Sequence, residues 1–265
     1  MRLRATFNEA AELYDRARPG YPSRMFDELA DLVGLAPGCR VLEIGCGTGQ
    51  ATMPLAERGC QVVAVEVGAE MAGVARRNLA PFPSVEVVTA AFEDWPLPAE
   101  AFDVVFSATA FHWLDPVVRV VKSAAALRTG GVLATVATHH VAGGTDEFFA
   151  EVQDCYLRFD PATPTAVRLP TPVEIPEDDG ELIRSGRFGP AVFRRYEHEV
   201  SYSTRQYIDL LLTYSGHRAM ESAARRGLLD CISGVIDTRH GGRVVKRYLI
   251  ELRVARRLDL YRDRP

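Results

Sequence analysis

Apolar residues along the chain recur first at helical spacing, then in short unbroken runs, then at helical spacing again. Residues 7–18 read as a helix stopped by Pro19 and Gly20. A second helix follows Pro22, with Met25, Phe26, Leu29, Leu32 and Val33 on one face and Gly34 and Pro37-Gly38 closing it. From Cys39 the rhythm changes to apolar runs at 41–44, 62–65, 85–88, 104–106 and 132–136. Such runs suit strands covered on both faces, hence a parallel sheet. Helix-like stretches at 50–58, 69–79 and 117–127 separate them, the alternation of βαβ units in an open α/β sheet. Past Ala137 the alternation lapses. Residues 145–159 look helical, and five prolines between 161 and 176 mark a loop, either a lid or a rigid connection. A strand at 193–202, helices at 203–215 and 217–236, and a final strand at 243–254 complete the pattern.

Composition narrows the class. With 265 residues, 47% in the hydrophobic set and 25% charged, the chain can bury a full core without a disulfide or metal staple. A net charge of −4 gives no global attraction to nucleic acid or anionic lipid. The charge is uneven, since nine basic and three acidic residues fall between Arg239 and Pro265. A solvated last strand accounts for that tail more simply than a polyanion contact. Cys39, Cys46, Cys60, Cys155 and Cys231 are odd in number and contain no paired C-x-x-C, which suits reduced thiols rather than a disulfide framework or zinc site. No metal site is expected. The charged N-terminus and the lack of any long apolar run predict a cytoplasmic protein with no membrane span.

The candidate chemistry starts at VLEIGCGTG, residues 41–49. Gly45, Gly47 and Gly49 predict a tight turn between a strand and a helix, where a ligand can approach the backbone and exposed amides favour an anion. A dinucleotide fingerprint requires glycine at position 50, where this chain has Gln50. Glu43 lies two residues before the first glycine, where it repels a pyrophosphate and suits an ammonium. Glu66 closes the second strand, a position from which a carboxylate can accept both ribose hydroxyls.

EIGCGTG followed by an acid at the end of the second strand resembles the class I S-adenosylmethionine-dependent methyltransferases. The resemblance is strong over residues 37–138. It implies a Rossmann-like α/β fold with a seven-stranded, mostly parallel sheet, helices on both faces and an N-terminal helical cover. It implies one methyltransferase domain over 1–265, with a cover at 1–36, a cofactor-binding core at 37–140 and substrate-side elements at 141–265. YDRARPGYP and QYIDLLLTYSGH further resemble a bacterial small-molecule subgroup related to UbiE-type and trans-aconitate-type enzymes.

The implied cofactor is S-adenosyl-L-methionine, leaving S-adenosyl-L-homocysteine as product. Glu43, Gly45, Gly47 and Gly49 would hold its amino-acid portion, and Glu66 its ribose. Val67 and Met71 would lie near the adenine. In TAAFEDWPL the usual aspartate is replaced by Ala91, which leaves the adenine amino contact to Glu93 or a main-chain carbonyl, with Phe92 beside the ring. Ser107 and Ala108 would approach the cofactor's amino end. In the related subgroup the N-terminal segment folds over the cofactor, so Arg18 would pair with a carboxylate while Tyr14 and Tyr21 face the sulfonium or substrate.

Methyl transfer from a sulfonium needs alignment and exclusion of water, and needs a base only when the acceptor must lose a proton. His112 is the candidate base, although a lone histidine also serves as a structural hydrogen-bonder; Trp113 and His139 are candidate substrate contacts. The expected activity is methyl transfer to a small-molecule acceptor, by a monomer or homodimer without nucleic-acid or membrane partners. Two readings stand beside it: a non-catalytic cofactor-binding module, and an NAD-dependent oxidoreductase, which Gln50 and Glu43 disfavour.

Overall fold

The computed structural model describes residues 10–98, 101–160, 163–164 and 168–259. Its chain falls into two compact units. An α/β unit holds residues 20–138, 177–196 and 250–259, and a second unit holds 10–19, 139–176 and 197–249.

In chain order the strands are β1 (Arg40–Ile44), β2 (Gln61–Glu66), β3 (Val85–Thr89), β4 (Phe102–Ala108), β5 (Leu127–Gly144), β6 (Val192–Ser203) and β7 (Arg243–Arg256). They form one seven-stranded sheet in the order β3-β2-β1-β4-β5-β7-β6, and β1 to β5 pair with one another in parallel. The order reverses at β1, which has β2 on one side and β4 on the other. In open α/β sheets that switch point is where ligands bind.

Alternate residues of β1 explain why both faces are covered. Val41 packs with Val62, Val104 and Val132 against Met25, Phe26 and Leu29 of α2 (Ser23–Val33) and Leu55 of α3 (Thr52–Glu57). Leu42 and Ile44 point the other way, into a cluster with Val105, Leu133 and residues Val120 and Ala124 of α5 (Pro116–Ala126). α4 (Ala69–Asn78) links β2 to β3 and buries Ala75 in the first cluster. Each large side chain buried here contributes roughly 1.5–3 kcal/mol. The expected Rossmann-like sheet with helices on both faces is therefore present.

The second unit has its own core. α1 (Ala11–Ala17) belongs to it, as do α6 (Asp146–Glu151), α7 (Gln153–Phe159), α9 (Thr204–Leu211), α10 (Ser215–Ala219) and α11 (Ser222–Arg239); the short α8 (Gly180–Arg184) lies in the α/β unit. Phe148, Tyr207, Leu210, Leu228, Ile232 and Tyr248 form the centre of this core.

Three expectations change. The helix foreseen at 145–159 is two, broken at Val152, and the one at 217–236 is also two. There the extended Met220 interrupts the chain, and the Glu221 carboxylate accepts the amides of Ala223 and Ala224 to start α11. β5 runs on to Gly144, so His139 and His140 lie inside a strand rather than after it. Finally, Cys155 and Cys231 form a disulfide between α7 and α11, whereas Cys39, Cys46 and Cys60 are free. The two bonded cysteines are 76 residues apart, so only tertiary folding brings them together. No helix of the described residues is long and apolar enough to cross a membrane, and no described cluster of acids, histidines and cysteines could hold a metal.

Candidate cofactor site

β1 ends at Ile44, and the chain turns through Gly45, Gly47 and Gly49, all with positive φ. Gly45 shows why no other residue serves there. Its φ is 71°, and a Cβ would stand 2.5 Å from the Ala110 Cβ. The loop is fixed by backbone bonds from Gly45 N–H to Val65 O and from Gly49 N–H to Cys46 O. Asn78, at the end of α4, donates from Nδ2 to Thr48 O at 2.9 Å.

Two carboxylates flank the loop in different states. Glu66 receives Gly47 N–H at 3.0 Å on one oxygen and Gly68 N–H at 2.8 Å on the other. It thereby ties the glycine loop to the start of α4. Glu43 is 1% exposed, and its Oε2 has no hydrogen-bond partner. Burial pushes its carboxyl up to about 7, against a downward pull from the Thr52 hydroxyl, and the Glu66 charge adds to the rise. A buried acid with an orphaned oxygen suits a cationic ligand group, which would hold it ionised.

The neighbouring elements supply walls. Val67 is exposed and Met71 is buried, its Cε 3.5 Å from where a Gly47 Cβ would lie. In the loop after β3, the Ala91 carbonyl accepts the amides of Asp94 and Trp95. Phe92 is a core side chain, 2% exposed, so its ring packs in the interior, while its amide makes no hydrogen bond among the described residues. A Glu93 oxygen caps Asp115 N–H at 3.4 Å. Lys122 anchors the whole loop, donating from Nζ to the carbonyls of Glu93 and Trp95 at 2.9 and 2.6 Å. Sequence patterning gave no sign of Lys122, because it approaches from α5.

At the end of β4, the buried Ser107 hydroxyl donates to Ile44 O at 2.9 Å, so its side chain staples β4 to β1 and only its main chain faces a ligand role. Ala108 is half-buried beside it. Next comes Thr109, whose φ of 55° makes it the one non-glycine with positive φ among the described residues. Strain of this kind clusters at ligand sites. Its hydroxyl joins the Tyr21 phenol at 3.0 Å and the Thr138 hydroxyl at 3.2 Å, a chain of three hydroxyls along the strand ends. Thr109 was not legible from sequence, where a threonine carries no signature of positive φ.

His112 and Trp113 lie in the 3-10 turn Phe111–Trp113, with ring centroids 5.0 Å apart. His112 reaches solvent, and burial of part of its ring, with the Arg119 charge, lowers its pKa, so it is neutral at pH 7. The structure thus brings together Tyr21, Glu43, the glycine loop, Glu66, Val67, Met71, the 91–93 loop, Ser107, Ala108, His112 and Trp113 in one unit. Tyr14, Arg18 and His139 belong to the other. There Arg18 donates from Nε to the Thr213 hydroxyl at 2.8 Å and lies over the rings of Tyr14 and Tyr214 at 5.0 and 4.3 Å; His139 is half-buried in β5.

Residues 42–135, which contain the glycine loop, both carboxylates and the β4 edge, match the methyltransferase domain family. Over that span the chain is similar to methyltransferase domains. An uncharacterized methyltransferase of Mycobacterium tuberculosis is 39% identical to it over 131 residues, 49% of this chain and 51% of that protein. The malonyl-[acyl-carrier protein] O-methyltransferase of Enterobacter lignolyticus is 34% identical over 131 residues, 47% of this chain and 51% of that protein. The chain thus spans about half the length of these relatives. A solved structure from Anaeromyxobacter dehalogenans, assigned as a type II methyltransferase, superposes with a TM-score of 0.61 at 26% identity, covering 90% of this chain and 97% of that one.

Proposed function

We propose that this chain transfers a methyl group from S-adenosylmethionine to a small-molecule acceptor by in-line displacement. The observation that carries the proposal is the orphaned oxygen of buried Glu43 beside the left-handed turn at Gly45. A buried acid in that place favours a ligand ammonium and opposes the pyrophosphate of a dinucleotide. S-Adenosylmethionine fits the residues present. Glu43 would hold the amino group, and the backbone around Gly45 and Gly47 would cradle the amino-acid portion. Glu66, which receives one backbone amide on each oxygen, would hold the ribose hydroxyls. Val67, Met71 and the free Phe92 amide would meet the adenine. When bound, the cofactor supplies an electrophilic methyl group on its sulfonium.

The chain's own part is positioning and proton handling. The backbone at Ser107 and Ala108, fixed by the staple to Ile44, sets one wall. Neutral His112 can take the proton from a hydroxyl or phenol acceptor; a carboxylate acceptor needs no base. Tyr21 and Trp113 stand on the same strand-end edge and would contact the acceptor.

Calorimetry with S-adenosylmethionine, S-adenosylhomocysteine and NAD tests the assignment. The two adenosyl ligands should bind and NAD should not. Replacing Glu66 by Ala removes charged hydrogen bonds worth roughly 1.5–3 kcal/mol each, or about 10- to 150-fold in Kd per bond. An unchanged Kd would remove Glu66 from the site. Transfer of labelled methyl from cofactor into a metabolite extract tests the activity, and failure of any compound to take up label would favour a non-catalytic binding module. Retained transfer in His112→Ala would show that the acceptor attacks without this base.

A further inference from the structure

The second unit contains a cavity of about 590 Å³ whose lining includes His140, Phe149, Tyr156, Tyr214, His217 and Lys246. Lys246, on β7, is 6% exposed. Its ammonium donates to the Tyr214 hydroxyl at 3.0 Å and lies 5.1 Å from the ring centroids of both Tyr214 and Tyr248. No carboxylate among the described residues lies within ion-pair distance of it. Three arginines of this unit differ: Arg168 pairs with Glu174, Arg247 with Glu199, and Arg239 with Glu151. An ammonium buried without a counter-charge costs several kcal/mol, and hydrogen bonds to neutral groups offset only part of that.

Arg168 also lines the cavity, but its guanidinium is paired with Glu174, and the two histidines add no charge. Burial and the Lys246 charge push His140 down to about 3 and His217 down to about 4, so both imidazoles are neutral. His217 Nε2 is bonded to the Tyr156 hydroxyl at 2.9 Å. His140 Nε2 is buried with no hydrogen-bond partner, and its ring stands edge-on to Phe149 at 4.5 Å. Two acids also line the cavity. Asp146 accepts the Gly143 amide at 2.6 Å, and Asp160 lies near enough to His217 to oppose the lowering of its pKa. Burial works to raise the pKa of the Tyr214 phenol, but Lys246 and Arg18 outweigh it and lower it.

We propose that this cavity binds a small aromatic carboxylate, which supplies the counter-charge Lys246 lacks and a partner for His140 Nε2. The carboxylate accepts from the Lys246 ammonium and from His140 Nε2–H, the neutral tautomer with its proton on that nitrogen, and the ring lies among Phe149, Tyr156 and Tyr214. The proposal concerns the second unit alone and does not depend on methyl transfer.

Titration of the full chain with benzoate, trans-cinnamate and their neutral amides tests it, by calorimetry with and without S-adenosylmethionine. At least one acid should bind at least tenfold more tightly than its amide. Lys246→Met should weaken that acid at least tenfold while Lys246→Arg keeps most of the affinity, and His140→Phe should weaken it less than Lys246→Met. The wild-type acid-to-amide ratio decides the matter even if a substituted chain does not fold. Equal binding of acid and amide would overturn the proposal, as would full affinity in a folded Lys246→Met protein. Absence of binding by either acid would also overturn it, leaving the Tyr214 hydroxyl as the partner of Lys246. Loss of S-adenosylmethionine binding with retained benzoate binding would count against the cofactor assignment only.

Discussion

The two units bury charge-bearing side chains in opposite settings. In the α/β unit an acidic group, Glu43, is buried beside a backbone turn, and the candidate ligand groups around it are mostly main chain. In the second unit a cationic group, Lys246, is buried among side-chain rings. A site made of backbone needs contiguous residues, because consecutive amides must converge on one point. A site made of side chains can be gathered from distant segments, and the cavity draws on β5, α6, α7, α10 and β7. The contrast explains why the first site shows in the sequence and the second does not.

Changes confined to one unit should leave the other's ligand in place, and the largest expected effect comes from the disulfide. Reducing Cys155–Cys231 frees a loop of 76 residues, which the chain-entropy account values at roughly 4 kcal/mol. Thermal unfolding with and without reductant should show a drop of that order, with the Kd for S-adenosylmethionine unchanged at temperatures where the chain stays folded. A parallel loss of cofactor affinity would break the separation between the units.

The next effect is the pH dependence set by Glu43. Its folded pKa of about 7 lies above the ordinary carboxylate value, so the folded state holds the proton more tightly than the unfolded one. Stability without ligand should therefore be full below about pH 4.5 and decline as pH rises through 7, by about 3 kcal/mol. Affinity for an ammonium-bearing ligand should run the other way and increase over the same window. Glu43→Gln should flatten both curves in parallel denaturation and binding series. A wild-type curve without this slope would mean that Glu43 is already ionised.

Smallest, and most local, is Gly45→Ala. The new Cβ would have to displace Ala110 and adopt a left-handed conformation, at a cost of roughly 1–3 kcal/mol. Cofactor binding should be lost while benzoate binding by the second unit remains. Binding of S-adenosylmethionine at wild-type affinity would show that the turn tolerates a side chain and is not the recognition element.

Particular residues show how far the sequence could be read. Glu43, Gly45, Gly47, Gly49 and Glu66 were found because they sit at fixed offsets from strand ends, where chain geometry alone decides what they face. The α/β sheet was legible for the same reason. Phe92 could not be placed as core or ligand contact, since either use suits an aromatic after β3; its burial puts the ring in the core. The apolar run of β5 ends at Val136 and the histidines His139 and His140 follow it, although the strand continues to Gly144. Lys246 drew no notice within a basic tail, whose other charges behave as expected for a strand: Arg247 pairs with Glu199, and Arg253 with Glu181.

Glu66 has a consequence for any effort to redesign this protein. Its two oxygens already brace Gly47 and Gly68, so the side chain that would grip the ribose also sets the shape of the loop. Shortening it to aspartate withdraws the carboxylate by one methylene, and neutralising it to glutamine turns one acceptor into a donor facing an N–H. Neither swap changes ligand preference alone. Val67, exposed next to it, bears no such double duty, so a change there would leave the loop its form.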